Sequence, residues 1–595
     1  MTSVRAFRLF GFCGTSGDVS TIRQRAAGLG PDTAGINFES NLDSPLLTAR
    51  AIVARNTPSL SHAQTPDGSF IVIDGRLLEP HLALSDALQG WITNGVSAFT
   101  QYRFHGLIAA WNGTTREFVL IRDPFGVTPV YFAKVDGGLM FSSDLATLVH
   151  FGVDPTVDPV ALDIYIATGY FPAPLTPLRS ITKLPPGHSL TIAADGVAES
   201  ASWFQHEEKE AIDETAAVDL MEGRLRESTE RTWPGDNNTG LLLSGGVDSA
   251  LLLAGITRMP KKPVRAFTFR YKDYNGKLNE GGNARAIANH LGVTHEEISI
   301  GPDDVLNDLE SAVVAHDEPF TWGLHSYRMR PIADRGITAV YSGAGADGWG
   351  LSRRHRAATR FNNLPGLVRG SLRAVVRAAR PLNLGSQTQA EWLTEPISGV
   401  GSLYSPDADW NRALRRRIYH DPSLVDRGSQ RLSDIYQSAA DEQTTSSDER
   451  TLILLDKRFN TADTVLLWNR GWTVGSEMDL ILPYFDHDLV DLAMNIKGAT
   501  TGKDILRRVG AKYLSNDMAN APKIPQTMPV SQWVRGPLAE PFRERLADMP
   551  SAMTSVVDPS RVTQLIDEHV QGRADHAWRL VALLTAAVWF DRHLP

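Results

Sequence analysis

The stretch Leu241-Leu-Leu-Ser-Gly-Gly-Val-Asp-Ser249 constrains this chain more than any other. An apolar strand, Thr239–Ser244, runs into Ser-Gly-Gly, and an apolar helix, Ser249–Thr257, follows. Gly245 and Gly246 can take φ > 0 and let the backbone approach a ligand closely. The amides at the start of the next helix then point at an anion. Ser244 and Ser249 can add hydroxyl hydrogen bonds to phosphate oxygens. Asp248 places a carboxylate beside this nest, which would repel phosphate unless a cation lies between them, so Mg²⁺ is implied. The Walker arrangement GxxxxGK[ST] is absent, which argues against γ-phosphate transfer of the P-loop kind.

A second glycine loop, Ser342-Gly-Ala-Gly-Ala-Asp347, follows the apolar strand Ile337–Ser342. In a parallel sheet, loops at the C-terminal ends of strands gather at one edge, where ligands bind. Asp347 is therefore expected as a second metal carboxylate beside Asp248.

Around these loops the rhythm is that of an α/β multidomain chain. Residues 1–200 read as short strands with turn punctuation, such as Ser69–Asp74, Glu117–Arg122 and Val130–Ala133, with a helix near Asp158–Thr168. That pattern predicts an α+β sandwich. From Ala216–Arg231 onward, helices and strands alternate, which implies a parallel sheet with helices on both faces. Beyond about 350 the chain reads as mostly helical. The expected division is 1–210 and 211–595, with the charged stretch Glu207–Glu210 at the boundary and a helical insertion at about 350–450. The polar segment Ser429–Asp448 is expected to be a mobile loop or a solvated helix end.

Composition removes several function classes. The net charge of −9 argues against a protein that coats nucleic acid. The single cysteine, Cys13, permits no intrachain disulfide, and the zinc spacings CxxC and HExxH are absent. No run approaches the roughly 20 apolar residues needed to span a bilayer, and no signal-peptide segment is recognisable. A cytoplasmic protein without a membrane or nucleic-acid partner is expected.

With further ordered elements, the two loops resemble the class B asparagine synthetase superfamily over nearly the whole chain. Arg122-Asp-Pro-Phe-Gly-Val-Thr-Pro-Val-Tyr131 resembles its RDxFGxxPLYY segment, and Gly169–Pro174 with Leu184–His188 resembles its domain-linking stretch. Asn279-Glu280 with Ala284-Arg285 resembles a DE…AR helix start, and His316-Asp-Glu-Pro319 a DEP element. Pro483-Tyr-Phe-Asp-His487 resembles PFLDH, and Gly502-Lys-Asp-Ile-Leu-Arg507 a K-x-x-L-R element. The resemblance implies an N-terminal Ntn-hydrolase-like, glutaminase-derived domain. It also implies a C-terminal ATP-pyrophosphatase domain of the adenine nucleotide α hydrolase-like kind, with helical additions.

The departures narrow the reading. Glutamine-dependent members carry a nucleophilic cysteine directly after the initiator methionine, and here that position is Thr2. Cys13 reads as a small buried hydrophobe. The glutamine-holding NGE appears as Asp74-Gly75-Arg76. A degenerate glutaminase is expected, so the nucleophile should be an amine already in the substrate. β-Lactam synthetases and the macrolactam synthetases that close lasso peptides work this way. Ala344 replaces the tyrosine of β-lactam synthetases. Gly348 replaces the Glu of asparagine synthetases, and Ile481 replaces the arginine of their E-x-R-x-P.

A lasso peptide cyclase is favoured. It would use ATP and Mg²⁺ to adenylate an Asp or Glu side chain of a core peptide and then form an isopeptide bond with the N-terminal amine. Its expected partners are the precursor peptide, a leader peptidase and a leader-binding protein. A β-lactam-type amide synthetase, an asparagine synthetase-type enzyme and a non-catalytic scaffold are the alternatives.

By resemblance, Leu243, Ser244, Gly245, Gly246, Val247, Asp248, Ser249, Phe269, Ser342 and Gly343 contact the nucleotide. Asp248 and Asp347 hold the metal. Lys503 opens a helix whose apolar face is Ile505, Leu506, Val509 and Tyr513, so its ammonium can stabilise developing negative charge. Asp479 or Glu477 would take the amine's proton. Residues 351–390 hold Arg353, Arg354, Arg356, Arg360, Arg369, Arg373, Arg377 and Arg380 with no Asp or Glu. That segment is either a solvated helical face or a surface for an acidic peptide or partner.

Overall fold

Strand β5 (Phe104–Asn112) is buried along its whole length, and its side chains alternate between two cores. Leu107, Ala109 and Trp111 face one cluster, while Phe104, Ile108 and Ala110 face another. This period of two marks a strand covered on both sides. The computed structural model describes residues 9–14, 48–53, 60–78, 83–235, 238–260, 263–272, 274, 281–321, 329–346, 353–379, 399–404, 410–496, 502–522 and 528–595.

The N-terminal region stacks two antiparallel sheets. One is ordered β2-β1-β8-β7-β9, with β1 Leu9–Gly14, β2 Thr48–Val53, β7 Tyr131–Val135, β8 Gly138–Ser142 and β9 Thr182–Lys183. The other is ordered β11-β10-β6-β5-β4-β3, with β3 Leu60–Gln64, β4 Phe70–Leu77, β6 Glu117–Arg122, β10 His188–Ile192 and β11 Ala198–Ser202. Leu9 and Cys13 of β1 join Leu139 and Phe141 against Leu107 and Trp111, which fixes how the sheets meet. The helix Leu84–Asn94 covers the outer face of the second sheet through Ala87, Leu88 and Trp91.

The third sheet is wholly parallel and ordered β14-β13-β12-β15-β16. Its strands are β12 Thr239–Leu242, β13 Arg265–Tyr271, β14 His295–Ile300, β15 Ala339–Tyr341 and β16 Asp479–Ile481. Helices Glu214–Arg231, Val247–Ile256, Gly281–Leu291 and Gly502–Gly510 contribute to the cluster on one face. The opposite face joins a cluster that includes Phe267, Val340 and the buried helix Ala577–His593. This is the expected α/β multidomain architecture. The last strand is a surprise, because β16 lies inside the region read as helical. Three residues are too few to show a period, and only pairing with β15 makes Asp479–Ile481 a strand.

The two regions do not keep separate cores. Phe10, Tyr131 and Phe171 share one cluster with Trp410, Tyr419 and Trp589. Helix Pro159–Thr168 is almost fully buried, and Tyr165 donates its hydroxyl to the Ala582 carbonyl at 2.9 Å. The polar segment expected as a loop or solvated end lies mostly in helix Leu424–Asp441. Its buried face includes Leu424, Val425, Tyr436, Ala439 and Ala440, and Tyr436 meets the Tyr170 hydroxyl at 3.0 Å. A sparse apolar stripe with tertiary partners decides the outcome over polar composition.

Candidate active site

The order of the parallel sheet locates the site. From β12 the chain builds outward to β13 and β14, and then crosses to the other side for β15 and β16. The strand order therefore reverses between β12 and β15, the crevice where open α/β sheets bind ligands. Leu242 ends β12 and Tyr341 ends β15, so both glycine loops leave the same edge.

The first loop is a tight, internally bonded turn. Gly245 sits at φ +74, a conformation glycine adopts without strain. Ser249 Oγ accepts from the Ser244 amide at 3.1 Å and meets Ser244 Oγ at 3.2 Å. Gly246 caps the helix Val247–Ile256 with extended backbone, and Asp248 occupies its first turn. Leu243 is buried, and its carbonyl accepts from the Thr268 hydroxyl at 2.6 Å, which pins the loop's base to β13. Val247 is buried beneath the loop, and Phe269 lies half-buried on β13.

The second loop packs against the first. A Cβ placed on Gly343 would lie 3.1 Å from the Ser249 amide nitrogen and 3.4 Å from Asp248 Cβ, so the approach leaves little room for a side chain. Ser342 donates its amide to the Ile481 carbonyl at 3.0 Å. Tyr484 donates its hydroxyl to the Asp248 carbonyl at 2.7 Å. Asp347 lies outside the described residues.

Lys503 joins this group from far along the chain. It is the second residue of helix Gly502–Gly510, and its Nζ donates to Asp248 Oδ2 at 3.0 Å. Ile505, Leu506 and Val509 are buried as expected, whereas Tyr513 lies in a turn past the end of the helix and is half-buried. Two helix N-termini and an ammonium thus converge around one carboxylate, an arrangement suited to a polyanion.

The two carboxylates considered as bases separate. Glu477 is exposed at φ +57, between helix Leu467–Gly475 and β16. Met478 donates its amide back to the Thr473 carbonyl at 2.8 Å, so Glu477 occupies the left-handed position of a helix C-terminal turn. Asp479 is buried, begins β16 level with Thr239 and Ala339, and accepts from Arg76 Nη2 at 2.7 Å. The sequence marked Arg76 only as a departure. Tyr484 was legible only as part of the Pro483–His487 motif.

The RDPFG-like and DEP-like motifs serve the junction between the regions. Arg122 donates to the carbonyls of Gly126, Thr128 and Leu184, and Asp123 accepts from the amides of Phe125, Gly126 and Val127. Lys183 Nζ donates to Glu318 Oε2 at 2.9 Å and lies 3.4 Å from Asp463, while Arg470 donates to Asp317 at 2.9 Å. Burial pushes the Glu318 carboxyl up to about 7, although Lys183 opposes the shift. Cys13 is buried in β1 between two partner strands, and burial pushes its thiol above the usual range. That disfavours the thiolate a nucleophile needs.

A switch-point sheet with paired glycine loops, joined to a two-sheet amidotransferase-like region, defines the class of ATP-dependent amide ligases. The glutamine amidotransferase domain model matches residues 88–204, and the asparagine synthase model matches residues 220–591. The chain belongs to the asparagine synthase family. It is 22% identical over 505 residues to asparagine synthetase [glutamine-hydrolyzing] 1 of Bacillus subtilis, covering 82% of this chain and 78% of that protein. It is 21% identical over 515 residues to amidase chyE of Penicillium rubens, covering 76% of this chain and 73% of that protein. Among the described residues, no helix is long and apolar enough to cross a membrane.

Proposed function

We propose that the chain is an AMP-forming, ATP-dependent peptide cyclase of the lasso type. The observation that carries this reading is the state of the N-terminal region. The triplet expected to hold an amide is Asp74-Gly75-Arg76, and Arg76 is committed to Asp479. Cys13, the chain's one cysteine, is buried between sheets. Without a source of ammonia, the nucleophile is an amine carried by the substrate.

In the first step a side-chain carboxylate of the peptide attacks the α-phosphorus of ATP. Pyrophosphate leaves with the electron pair of the broken P–O bond, and an acyl-adenylate forms. Loop amides after Ser244 bind the phosphates, and the Lys503 ammonium stabilises the charge that develops at the α-phosphorus. In the second step the peptide's N-terminal amine attacks the acyl carbon, its proton passes to Asp479, and AMP leaves. Before AMP leaves, Lys503 donates to the oxyanion of the tetrahedral state.

Among the described residues there is no cluster of three or more metal-type side chains. Asp248 nonetheless fits Mg²⁺, which binds through one or two carboxylates together with substrate phosphates. Asp248 would hold it, with Asp347 as the second carboxylate. When bound, the ion supplies charge neutralisation for the phosphates.

A peptide substrate also suits the surface after residue 350. Helix Gly366–Ala379 exposes Leu367, Val368, Leu372 and Val375, and Arg369 on the same helix donates to Asn362. In helix Arg353–Asn362, Arg356 is half-buried and Arg360 exposed. A leader peptidase and a leader-binding protein would prepare the substrate.

The experiment is pyrophosphate exchange driven by a leader-free core peptide. The product should weigh one water less than the linear core and resist carboxypeptidase. Exchange driven by a small β-amino acid instead would put a β-lactam-type synthetase in its place, and formation of asparagine from aspartate an asparagine synthetase.

A further inference from the structure

We propose that Arg76 is a positioning residue for the amide-forming step, holding the carboxylate of Asp479 toward the incoming amine. The proposal rests on the peptide-cyclase reading and gives the altered amide triplet a use within it.

Arg76 lies on β4 opposite His105 of β5. Its guanidinium reaches out of the N-terminal sheets to Asp479 Oδ2 at 2.7 Å, across 403 positions of sequence. The side chains are 28% and 9% exposed. A guanidinium offers N–H donors in a rigid fork, so it sets the direction of a carboxylate as well as its charge environment.

Two further ties join this part of the N-terminal region to the segment after Asp479. His105 Nε2 lies 2.9 Å from the Phe485 carbonyl, and Arg103 donates to Asp488 Oδ1 at 2.7 Å. The same segment touches both glycine loops, through the Ile481 carbonyl on the Ser342 amide and the Tyr484 hydroxyl on the Asp248 carbonyl. Asp479 is thus fixed by the N-terminal region at one end of a strand whose continuation holds the nucleotide loops.

A cavity of about 60 Å³ lies beside the pair, lined by Gly75, Arg76, Thr128, Arg470, Thr473 and Asp479 among others. That is enough space for ordered water. Leu78, Val127, Leu480, Ile481 and Leu482 also line it, so part of its wall is apolar. The step balances: the amine loses one proton to Asp479, its lone pair forms the C–N bond, and AMP departs with the C–O electron pair.

The test compares full-length wild type with Arg76→Gln, Arg76→Lys and Asp479→Asn. Two readouts are taken with a core peptide: pyrophosphate exchange, and AMP released per amide bond formed. In wild type the second ratio is near one. In Arg76→Gln the adenylate waits for a misplaced base and is lost to water, so the ratio should rise roughly tenfold or more. Exchange should stay within about twofold, since activation precedes proton removal. Arg76→Lys should return the ratio most of the way.

A ratio unmoved in Arg76→Gln, or exchange falling in step with amide formation, would overturn the positioning role. If Arg76→Gln fails to fold, the exchanged pair Arg76→Asp with Asp479→Arg serves instead. It should regain wild-type melting without amide formation, and amide formation by that protein would overturn the proposal. No exchange by wild type with any peptide defeats the cyclase reading itself. Exchange with an unmoved ratio defeats only the part given to Arg76.

Discussion

Lys503 Nζ lies 3.0 Å from Asp248 Oδ2, which ties the start of one helix to the first turn of another, 255 positions apart. An ammonium at a helix N-terminus faces the positive end of the dipole, an unfavourable place unless an anion is near. Asp248 supplies that anion in the protein alone. ATP phosphates bound at the loop would supply far more negative charge, and Lys503 could then turn to them.

Lys503→Met should therefore lower amide formation by roughly 10²–10³, the usual cost of removing one preorganised donor to a developing oxyanion. ATP affinity should change little, because the loop amides remain. Single-turnover kinetics with saturating ATP measures the effect. A rate within twofold of wild type would make the Lys503–Asp248 pair a structural contact only.

Asp248→Ala should abolish release of pyrophosphate, and the products of the wild-type reaction should be AMP and pyrophosphate. The carboxylate at the loop both orients Lys503 and, with Mg²⁺ present, holds the cation that the phosphates need. Product analysis by ³¹P NMR decides the matter. ADP and phosphate would point to a different phosphoryl chemistry and remove the acyl-adenylate.

The first glycine loop was legible because its signal is local. Ser244–Ser249 carries its strand, turn and helix start within a few residues, and the structure keeps all three. Lys503 was legible only through a family motif, since nothing near it in sequence tells it from a surface lysine. Arg76–Asp479 and the Lys183–Glu318–Asp463 cluster were not legible, because each joins residues brought together only by docking of the two regions. Helix Leu424–Asp441 was misread for a related reason. Its polar residues dominate the sequence, while the few apolar ones find partners on helix Pro159–Thr168 and around Tyr170.

Cys13→Ala should leave amide formation unchanged and reveal no glutaminase activity to lose. The thiol packs between the two N-terminal sheets and is 1% exposed, so its replacement removes a small buried group. A stability loss of about 1 kcal/mol is expected, typical of single substitutions. Ammonia release from glutamine by wild type that vanishes in the variant would overturn the degenerate-glutaminase reading.

The final prediction concerns acid stability. His316, beside Asp317 and Glu318, is fully enclosed, and burial pushes its imidazole down to about 4. Its Nδ1 lies 2.7 Å from the Ala312 carbonyl, so the neutral ring carries its proton there. The unfolded chain takes up a proton near pH 6.5 that the folded chain refuses until about pH 4. Over that window the unfolded state binds more protons, so this residue makes stability fall as pH falls. At 1.36 kcal/mol per unit, its share of the loss between neutral pH and pH 5 is about 2 kcal/mol. His316→Asn keeps a donor for the Ala312 carbonyl but cannot take up that proton. The variant will be less stable than wild type at pH 7.5, because Gly471 packs closely on the lost ring. The difference between the two proteins, measured by urea unfolding, should shrink by about 2 kcal/mol on going to pH 5. A constant difference across that range would mean that His316 is as easily protonated folded as unfolded.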